Sequence, residues 1–233
     1  TYIEGLRDGG AFIKAARATA QKKPIIAVKS GRTASGSKAV SSHTGSLAGA
    51  DAAYDAAFAQ TGLLRADSVQ ELFDYAIAFA YQPLIKGNRV ALVTNAGGPG
   101  VMATDALDRN GLVLAELSAE TQQYLSTVLP AAANIHNPVD VLGDALSDRY
   151  QAALSAVLKD PGVDGVIVIL TPQSGTEIPE TANALVEASK ANSKPILACF
   201  IGGTRVGVGI EILAKNRVPH YPYPERAVAA LGA

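Results

Sequence analysis

The feature that most constrains the fold is a buried strand that leads through a glycine-rich turn into a helix. Arg89-Val-Ala-Leu-Val-Thr94 is a short apolar run, Asn95-Ala-Gly-Gly-Pro-Gly100 follows it, and the pattern over 101–110 predicts a helix. Apolar runs at 163–170 and 195–201, with a helical pattern at 180–191 between them, continue the alternation. Strands that are apolar along their whole length are typical of parallel sheets covered on both faces. The sequence therefore predicts an α/β fold with right-handed crossovers.

The amino-terminal part of the chain alternates in the same way. A helical pattern over 10–22 ends at Lys23-Pro24, and a strand is predicted directly after it, over 25–28. The residues from Lys29 to about Gly49 are rich in Gly, Ser and Thr and predict a loop, after which helices are predicted over 50–60 and 69–81. Pro83–Gly87 is typical of a linker. We therefore predict two domains, residues 1–86 and residues 87–233.

A short sequence repeat relates the two predicted domains. Lys23-Pro-Ile-Ile-Ala27, followed by Gly31, recurs as Lys194-Pro-Ile-Leu-Ala198, followed by Gly202. Two domains of one kind is our interpretation, and a chance similarity of two helix-Pro-strand junctions is the alternative. Because the chain opens on what is typical of a strand end, we expect the first domain to lack its amino-terminal part.

Charge and composition exclude several classes of partner. Lys and Arg total 20 against 21 for Asp and Glu, so no overall field would attract nucleic acid or an anionic membrane. No apolar run reaches the roughly 20 residues that span a bilayer, and the start lacks a signal-peptide pattern. The single cysteine, Cys199, lies in an apolar run that is typical of a buried strand. These features predict a cytoplasmic protein without nucleic-acid or membrane partners.

The glycine turn after Thr94 is one candidate binding site. Such a turn directs free backbone amides and the positive end of a helix toward one point, which suits phosphate. Met102 stands where the dinucleotide fingerprint requires glycine, so a nicotinamide cofactor is disfavoured. Glycines that only permit tight packing are the alternative. The predicted phosphate contacts in this turn are Asn95, Ala96, Gly97, Gly98 and Gly100.

A histidine embedded among glycines and hydroxyl residues, His43, is the second candidate. An imidazole nitrogen can accept a phosphoryl group near neutral pH and release it again, and Thr44 and Gly45 could help to hold that group. Glu4 follows an apparent strand end, where a carboxylate that accepts a hydrogen bond from a histidine ring would orient it. An exposed histidine without a role, and an ordinary solvated or helix-capping acid, are the alternatives.

Two further polar turns, Asn137-Pro-Val-Asp140 and Thr171–Glu177, lie beside predicted strands and could shape a pocket. Ordinary turns are the alternative for both. His136 and His220 have no Cys or His neighbour at metal-ligand spacing, so no metal site is predicted. The residues proposed for the pocket are Asn137, Asp140, Gln173 and Ser174.

Four of these motifs together resemble a known family. Ser30-Gly-Arg-Thr33, Ser42-His-Thr-Gly-Ser-Leu-Ala-Gly49, Val93–Gly100 and Asn137-Pro-Val-Asp140 look like the nucleoside-diphosphate-forming acyl-CoA synthetases, which are related to succinyl-CoA synthetase. The resemblance covers nearly the whole chain. It implies two flavodoxin-like domains with doubly wound, mainly parallel sheets of the succinyl-CoA ligase type, the first of them truncated at its amino terminus.

The resemblance also implies an activity and its partners. It implies an acid–thiol ligase that forms acyl-CoA while ATP or GTP becomes ADP or GDP, with His43 as the phosphohistidine and Glu4 as the acid that steadies it. A CoA-binding and an ATP-grasp domain or subunit, a small carboxylic acid and association into an oligomer are implied as partners. CoA, ATP or ADP and Mg²⁺ are implied for the complete enzyme, with no cofactor held tightly by this chain. The identity of the acid and the choice of nucleotide stay open.

Two other functions stay open at this point. The same domain set is found fused to protein acetyltransferases, where it resembles an acyl-CoA sensor. A plain α/β module that binds the phosphate of any small molecule at the glycine turn is the other.

Overall fold

The computed structural model describes residues 1–44 and 50–233, and for His43 and Thr44 it describes the backbone. The chain divides into two compact units, Thr1–Ala76 and Ile77–Ala233. This division falls within one helix, whereas the sequence pattern places the boundary later, after residue 86. Each unit contains a sheet of parallel strands, as the alternation of strands and helices predicts.

The first unit is built on a short parallel sheet. Its strands pair in the order β1-β2-β3, so their carboxyl ends lie at one edge. The elements are β1 (Tyr2–Ile3), α1 (Gly9–Ala20), β2 (Ile26–Lys29), α2 (Ala34–Thr44), α3 (Asp51–Thr61), β3 (Leu64–Ala66) and α4 (Val69–Tyr81). One buried hydrophobic cluster of this unit contains Ile3, Ala16, Ala27, Tyr54, Phe58 and Leu63.

Helix α2 is the main departure from the predicted secondary structure. The sequence pattern predicts a loop from Lys29 to about Gly49, but residues 34–44 are helical. Thr33 supplies the starting signal, because its hydroxyl accepts a hydrogen bond from the Gly36 amide at 3.1 Å. Val40 is buried, and tertiary packing of this kind stabilises helices whose own sequence favours them weakly. By its backbone His43 belongs to the last turn of α2, and Gly45 lies outside the described residues.

The second unit contains a longer sheet in the order β5-β4-β7-β8, with β6 beside the carboxyl end of β4. All these pairings are parallel, and a parallel bridge between Ala198 and His220 continues the sheet past β8. The strands are β4 (Arg89–Thr94), β5 (Val113–Leu114), β6 (Val139–Asp140), β7 (Gly165–Leu170) and β8 (Ile196–Phe200). The helices are α5 (Gly97–Arg109), α6 (Ala119–Val128), α7 (Ser147–Lys159), α8 (Ile178–Ala191), α9 (Gly207–Lys215) and α10 (Pro224–Gly232).

This strand order positions the site. It is the flavodoxin-like order, in which the chain winds in one direction and then the other, and ligands bind at the carboxyl ends of the two strands where the winding reverses. In the second unit those strands are β4 and β7, whose carboxyl ends are followed by Asn95 and Thr171.

Helices cover both faces of this sheet. α6, α7 and α8 pack on one face through Leu125, Leu154 and Leu185, while α5 and α10 pack on the other. Every residue of β7 and β8 is buried, as their continuous apolar runs predict. Burial raises the pKa of Cys199 to about 12, so the thiol stays protonated within the core.

The sequence repeat corresponds to a repeat in topology. In the first unit β1, α1, β2, β3 and α4 occur in this order, with α2 and α3 between β2 and β3. In the second unit β7, α8, β8, the His220 bridge and α10 occur in the same order, with α9 between β8 and His220. Both Lys-Pro junctions precede a strand. Within residues 1–44 and 50–233, no helix is long and apolar enough to cross a membrane.

Candidate functional site

The glycine turn of the second unit forms the first turn of α5. Ala96 precedes the helix in an extended conformation and provides no side-chain cap, while its own amide donates to the Thr94 hydroxyl at 3.0 Å. The amides of Gly97 and Gly98 point out of the first helical turn, where no intrahelical acceptor exists. Pro99 has no amide hydrogen and is tolerated there because the first turn does not need one. Two backbone donors at the positive end of α5 therefore remain for an anion.

The glycines of this turn differ in the free space around them. A Cβ atom added at Gly97 or Gly98 would meet no atom within 4 Å, so the space before both amides is open. A Cβ at Gly100 would lie 3.3 Å from Cγ2 of Thr94 and 3.8 Å from Cβ of Pro138. Gly100 thus serves close packing of α5 on the sheet, whereas Gly97 and Gly98 leave access for a ligand.

The side chain of Asn95 joins the ends of β4 and β7. Its Nδ2 donates to the Thr171 carbonyl at 2.8 Å, and its Oδ1 accepts from the Thr171 amide at 2.8 Å and the Thr171 hydroxyl at 3.1 Å. Asn95 is only 3% exposed. Its amide group is therefore committed to the sheet edge, and its part in the site is to fix the turn that follows.

Tyr150, on α7, also contacts the carboxyl edge of the sheet. The tyrosine is fully buried on α7, and its hydroxyl donates to the Ile169 carbonyl at 3.0 Å, next to the Asn95 backbone. Burial, followed by the charge of Asp140, raises the pKa of this hydroxyl well above its usual value, so it stays neutral. The carboxyl ends of β4 and β7 are thereby held by neutral, buried hydrogen bonds.

The loops after β6 and β7 meet beside the turn. Asp140 accepts a hydrogen bond from the Leu142 amide at 2.9 Å, and Leu142 has a φ of 75°, a conformation that costs a branched residue energy. A Cβ at Gly143 would lie 3.8 Å from Cγ of Gln173 and 3.9 Å from the Asn95 carbonyl. Asp140, Gln173 and Asn95 therefore belong to one cluster of loops at the carboxyl edge.

Asn137 has a different position from the other pocket candidates. Its Nδ2 donates to the carbonyls of Val90 at 2.8 Å and Ala115 at 2.9 Å, and its Oδ1 accepts from the Leu92 amide at 2.9 Å. Both of its donors are used within the sheet, and its side chain bonds the edge of β4 in the gap between the residues that pair with β5 and those that pair with β6. Ser174 lies at the exposed tip of the loop after β7.

The carboxyl edge of the first unit is held by charged contacts. Arg32 pairs with Asp51 at 3.2 Å and with Asp67 at 2.5 Å, and Arg65 pairs with Asp51 at 2.6 Å and with Asp55. The hydrogen bond from Arg65 lowers the pKa of Asp51, and the bond from Arg32 acts in the same direction. The start of α3, which follows the segment after His43, is thereby tied to the ends of β2 and β3.

Glu4 lies at this edge, directly after β1. It is half-buried, and the Tyr2 hydroxyl donates to its Oε1 at 3.2 Å. In the parallel pairing of β1 with β2, Ile3 lies opposite Lys29, so Glu4 leaves the sheet next to the end of β2. Its predicted partner, the side chain of His43, lies outside the described part of the structure.

Comparison with known families and proteins places this geometry in context. Residues 1–79 match the family described as a succinyl-CoA ligase like flavodoxin domain, and residues 90–233, more than half of the chain, match the family described as a Ligase-CoA domain. The chain belongs to the CoA-ligase family. The resemblance drawn from the sequence motifs and the two flavodoxin-like domains it implied are confirmed.

Individual members of the CoA-ligase family are similar along the whole chain. The alpha subunit of acetate–CoA ligase [ADP-forming] II from Pyrococcus furiosus is 45% identical, over 98% of this chain and 51% of that subunit. The 4-hydroxybutyrate–CoA ligase [ADP-forming] of Nitrosopumilus maritimus is 39% identical, over 100% of this chain and 33% of the enzyme. The CoA-ligase chain therefore spans about half of the length of the first relative and a third of the length of the second.

A solved structure extends the likeness to three dimensions. The acetyl-coenzyme A synthetase 1 of Ca. Korarchaeum cryptofilum, in complex with phosphate and ADP, superposes with a TM-score of 0.93 at 38% identity. The match covers 99% of this chain and 51% of that one.

Four residues of this CoA-ligase chain were missed by the sequence analysis. Tyr150 and Thr171 secure the ends of β4 and β7, and Arg205 donates to the Gln173 carbonyl at 3.2 Å from the turn after β8. Lys29 is buried at the end of β2. A charge within an apolar strand was the one signal in the sequence that could have drawn attention to Lys29. The other three contacts join residues far apart in sequence.

Proposed function

We propose that this chain is the phosphohistidine-carrying part of an ADP- or GDP-forming acyl-CoA synthetase. The observation that carries the proposal is the likeness, over 99% of the chain, to an acetyl-coenzyme A synthetase solved with phosphate and ADP. The relatives named above are CoA ligases that act on acetate or 4-hydroxybutyrate, which supports a small carboxylic acid as the substrate.

His43 carries the phosphoryl group in this scheme. A lone pair on one ring nitrogen forms the N–P bond while the P–O bond to the nucleoside diphosphate breaks, and that electron pair leaves with the diphosphate oxygen. A carboxylate oxygen of the acid then attacks phosphorus, the N–P bond breaks, and an acyl phosphate forms. The thiolate of CoA attacks the acyl carbon and releases inorganic phosphate. Glu4 accepts the N–H of the second ring nitrogen and holds the ring in orientation.

The edge of the second unit supplies the anion site. The amides of Gly97 and Gly98 are free to donate to the oxygens of a phosphate group, and the positive end of α5 favours its negative charge. Asn95 and Tyr150 hold the turn so that these amides are in place before the ligand arrives. Gln173 and Asp140 belong to the neighbouring loops, beside which the carboxylic acid substrate would bind.

The remaining steps require partners. The chain spans 51% of the length of the Pyrococcus furiosus alpha subunit and of the solved synthetase chain. We propose that a CoA-binding region and an ATP-grasp region, as domains or subunits, complete the enzyme. In this cytoplasmic assembly the chain would provide two ligase domains, residues 1–86 and 87–233. Among the residues whose side chains the structure describes, 1–42 and 50–233, no group of three or more His, Cys, Asp or Glu is placed to hold a metal ion. We assign the Mg²⁺ that accompanies the nucleotide to the ATP-grasp partner, because in phosphoryl transfer the ion bridges the nucleotide phosphates.

The regulatory alternative has less support. The relatives reported above are named as ligases, and none of these names supports an acyl-CoA sensor fused to an acetyltransferase.

Labelling of the complete enzyme tests the phosphohistidine. We expect γ-labelled ATP with Mg²⁺ to give protein-bound label that is labile to acid and stable to alkali, and His43→Ala to remove it. His136 is exposed and lies outside the proposed site, so His136→Ala is the matched control and should keep the label. Equal labelling of wild type and His43→Ala would show that another residue carries the group.

A further inference from the structure

Arg32 joins three elements of the first unit. It lies in the turn between β2 and α2, its Nε pairs with Asp51 at 3.2 Å, and its Nη1 pairs with Asp67 at 2.5 Å. Asp51 is the first residue of α3, and Asp67 follows β3. A planar guanidinium can bind two carboxylates at once in a fixed geometry, whereas the ammonium of a lysine is a point charge.

Arg65, on β3, binds the other oxygen of Asp51. Its Nη2 lies 2.6 Å from Oδ1 of Asp51, and its Nη1 pairs with Asp55, also on α3. The hydrogen bond from Arg65 is the largest influence on the pKa of Asp51 and lowers it, so Asp51 stays ionised near neutral pH. The start of α3 is therefore held between two guanidinium groups, one of which belongs to the turn before α2.

The turn that contains Arg32 is compact. Gly31 has a φ of 73°, which glycine adopts without strain. A Cβ atom added at Gly36 would lie 3.2 Å from Cα of Gly31, and a Cβ at Gly31 would lie 2.9 Å from Cγ2 of Val40. The first two turns of α2 thus pack directly against the turn, so the position of α2 is set by the backbone on which Arg32 lies.

His43 lies between the two residues that this contact joins. By its backbone it belongs to the last turn of α2, which begins two residues after Arg32, and the connection ends at α3, which begins with Asp51. The ion pair between Arg32 and Asp51 therefore holds together the two ends of residues 33–50. Fixing the ends of a segment reduces the number of conformations that it can adopt.

We propose that Arg32 is a positioning residue for phosphoryl transfer, which holds both ends of residues 33–50 so that His43 is placed for attack on phosphorus. This role rests on the proposed function of His43. Arg32 acts through the chain on which the histidine lies and through α3. A nucleophile that is held in place reacts faster, because less conformational freedom is lost in the transition state.

The rate of histidine labelling by γ-labelled ATP and Mg²⁺ in the complete enzyme tests this role. Arg32→Gln removes both ion pairs and should lower the rate at saturating ATP roughly ten- to a hundredfold, the effect of misplacing a reacting group by about 1 Å. The ATP concentration that gives half of the maximal rate should stay the same, because in this role Arg32 does not bind the nucleotide. A rise in that concentration with an unchanged maximal rate would overturn the proposal.

Arg32→Lys keeps the charge but reaches only one carboxylate at a time. Its labelling rate should therefore lie between those of wild type and Arg32→Gln. A wild-type rate in Arg32→Lys would overturn anchoring at two carboxylates. The lysine variant also provides the test if Arg32→Gln does not fold, which urea unfolding checks.

Arg89 of the second unit is the matched control. Its Nε and Nη2 each lie 2.8 Å from an oxygen of Asp164, and its side chain is 47% exposed, against 41% for Arg32. Arg89 begins β4, at the amino edge of the second sheet, and has no part in the proposed phosphoryl transfer. Arg89→Gln should shift urea unfolding about as much as Arg32→Gln and leave the labelling rate unchanged. An equal fall in labelling in both variants would show that lost stability causes it.

A double-mutant cycle tests whether the contact with Asp51 is what positions His43. In an Asp51→Asn background this contact is already weakened, so Arg32→Gln should lower the labelling rate clearly less than it does in the wild type. Independent, multiplying effects of the two changes, or an unchanged rate in Arg32→Gln, would overturn the proposal while leaving the phosphohistidine intact. Absence of label in the wild-type enzyme would instead reject the proposed function, and the role of Arg32 with it.

Discussion

The two units hold the carboxyl edges of their sheets by different means. In the second unit, Asn95 and Thr171 join β4 to β7 through neutral hydrogen bonds, and buried Tyr150 completes the contact. In the first unit, Arg32 and Arg65 bind aspartates that follow or flank the strands. One edge is fixed by neutral amide and hydroxyl groups and the other by charges.

Strand length gives a physical reason for the difference. β4 and β7 are six residues each and largely or wholly buried, while β1, β2 and β3 have two, four and three residues. A long buried ladder orders its own ends, and only neutral groups can be placed there without a large desolvation cost. Beyond the ends of the short β2 and β3 the paired side chains of Arg32 and Asp67 are exposed, so an ion pair there has a small desolvation cost.

The chain that follows the equivalent strands differs as well. After β8 the second unit returns to the sheet at His220 through residues 201–219, with one α-helix, whereas after β2 the first unit uses residues 30–63 and two helices, α2 and α3. The longer path contains His43. The enlarged connection is therefore the one to which we assign the proposed phosphoryl chemistry.

The largest effect is expected at the glycine turn of the second unit. Gly98→Glu places a carboxylate in open space before the two amides and should lower acyl-CoA synthesis at least about a hundredfold, the size expected when transition-state donors are lost. Steady-state rates of the complete enzyme measure the effect.

Gly98→Gln is the control for size. It has the same length without the charge, so it should retain much more activity than Gly98→Glu. Equal losses of acyl-CoA synthesis in both variants would mean that the size of the new side chain causes the loss and that the turn does not bind an anion.

The hydrogen bonds between Asn95 and Thr171 should contribute to the stability of the second unit. Asn95→Ala leaves the amide and carbonyl of Thr171 without partners, and we expect a loss of about 2 kcal/mol in the free energy of unfolding. Urea unfolding measures it. Asn192 makes one local bond to the Ala188 carbonyl at 2.9 Å, so Asn192→Ala should cost clearly less. Similar losses of unfolding free energy in both variants would show that Asn95 stabilises the protein no more than an ordinary surface asparagine does.

The charged edge should have a smaller effect that depends on pH. Asp51→Asn weakens the pairs with Arg32 and Arg65, and at neutral pH it should cost about 1 kcal/mol. Because the pKa of Asp51 is lowered in the folded protein, its contribution is present above the unfolded pKa and is lost as pH falls through the folded pKa.

Urea unfolding at neutral and at acidic pH checks this sign. The difference between wild type and Asp51→Asn should shrink toward zero in acid. Asp144 pairs with Arg149 at the surface of the second unit, so Asp144→Asn should change stability less. A larger effect of Asp144→Asn would contradict the view that charges hold mainly the first edge.

The smallest effect is expected at the start of α2. Thr33→Ala removes the hydroxyl that caps this helix and should cost about 1 kcal/mol or less. Ser118 caps α6 by accepting the Thr121 amide at 3.2 Å, so Ser118→Ala is the matched change in the other unit. Both should lower stability alike, but only Thr33→Ala should slow phosphorylation of His43. Slowing by both would point to a general loss of stability.

Much of the architecture could be predicted from local patterns. The continuous apolar runs of β7 and β8 indicated buried parallel strands, and the spacing over 69–81 indicated α4, because burial and helix periodicity leave a direct trace in neighbouring residues. The motifs around His43 and Asn95 carried the family resemblance. No pattern indicated α2, since its serines and glycines favour a helix only when Thr33 caps it and Val40 is buried.

The sequence by itself determined the fold class, the repeated Lys-Pro-strand unit and the glycine turn, because each depends on residues close together in the chain. Only the tertiary structure decided which groups of that turn are available. It committed the Asn95 amide to Thr171, assigned Gly100 to packing, and left Gly97 and Gly98 open. It also placed Lys29 beside the end of β1. These roles depend on contacts between strands distant in sequence, and such contacts exist only once the sheet has formed.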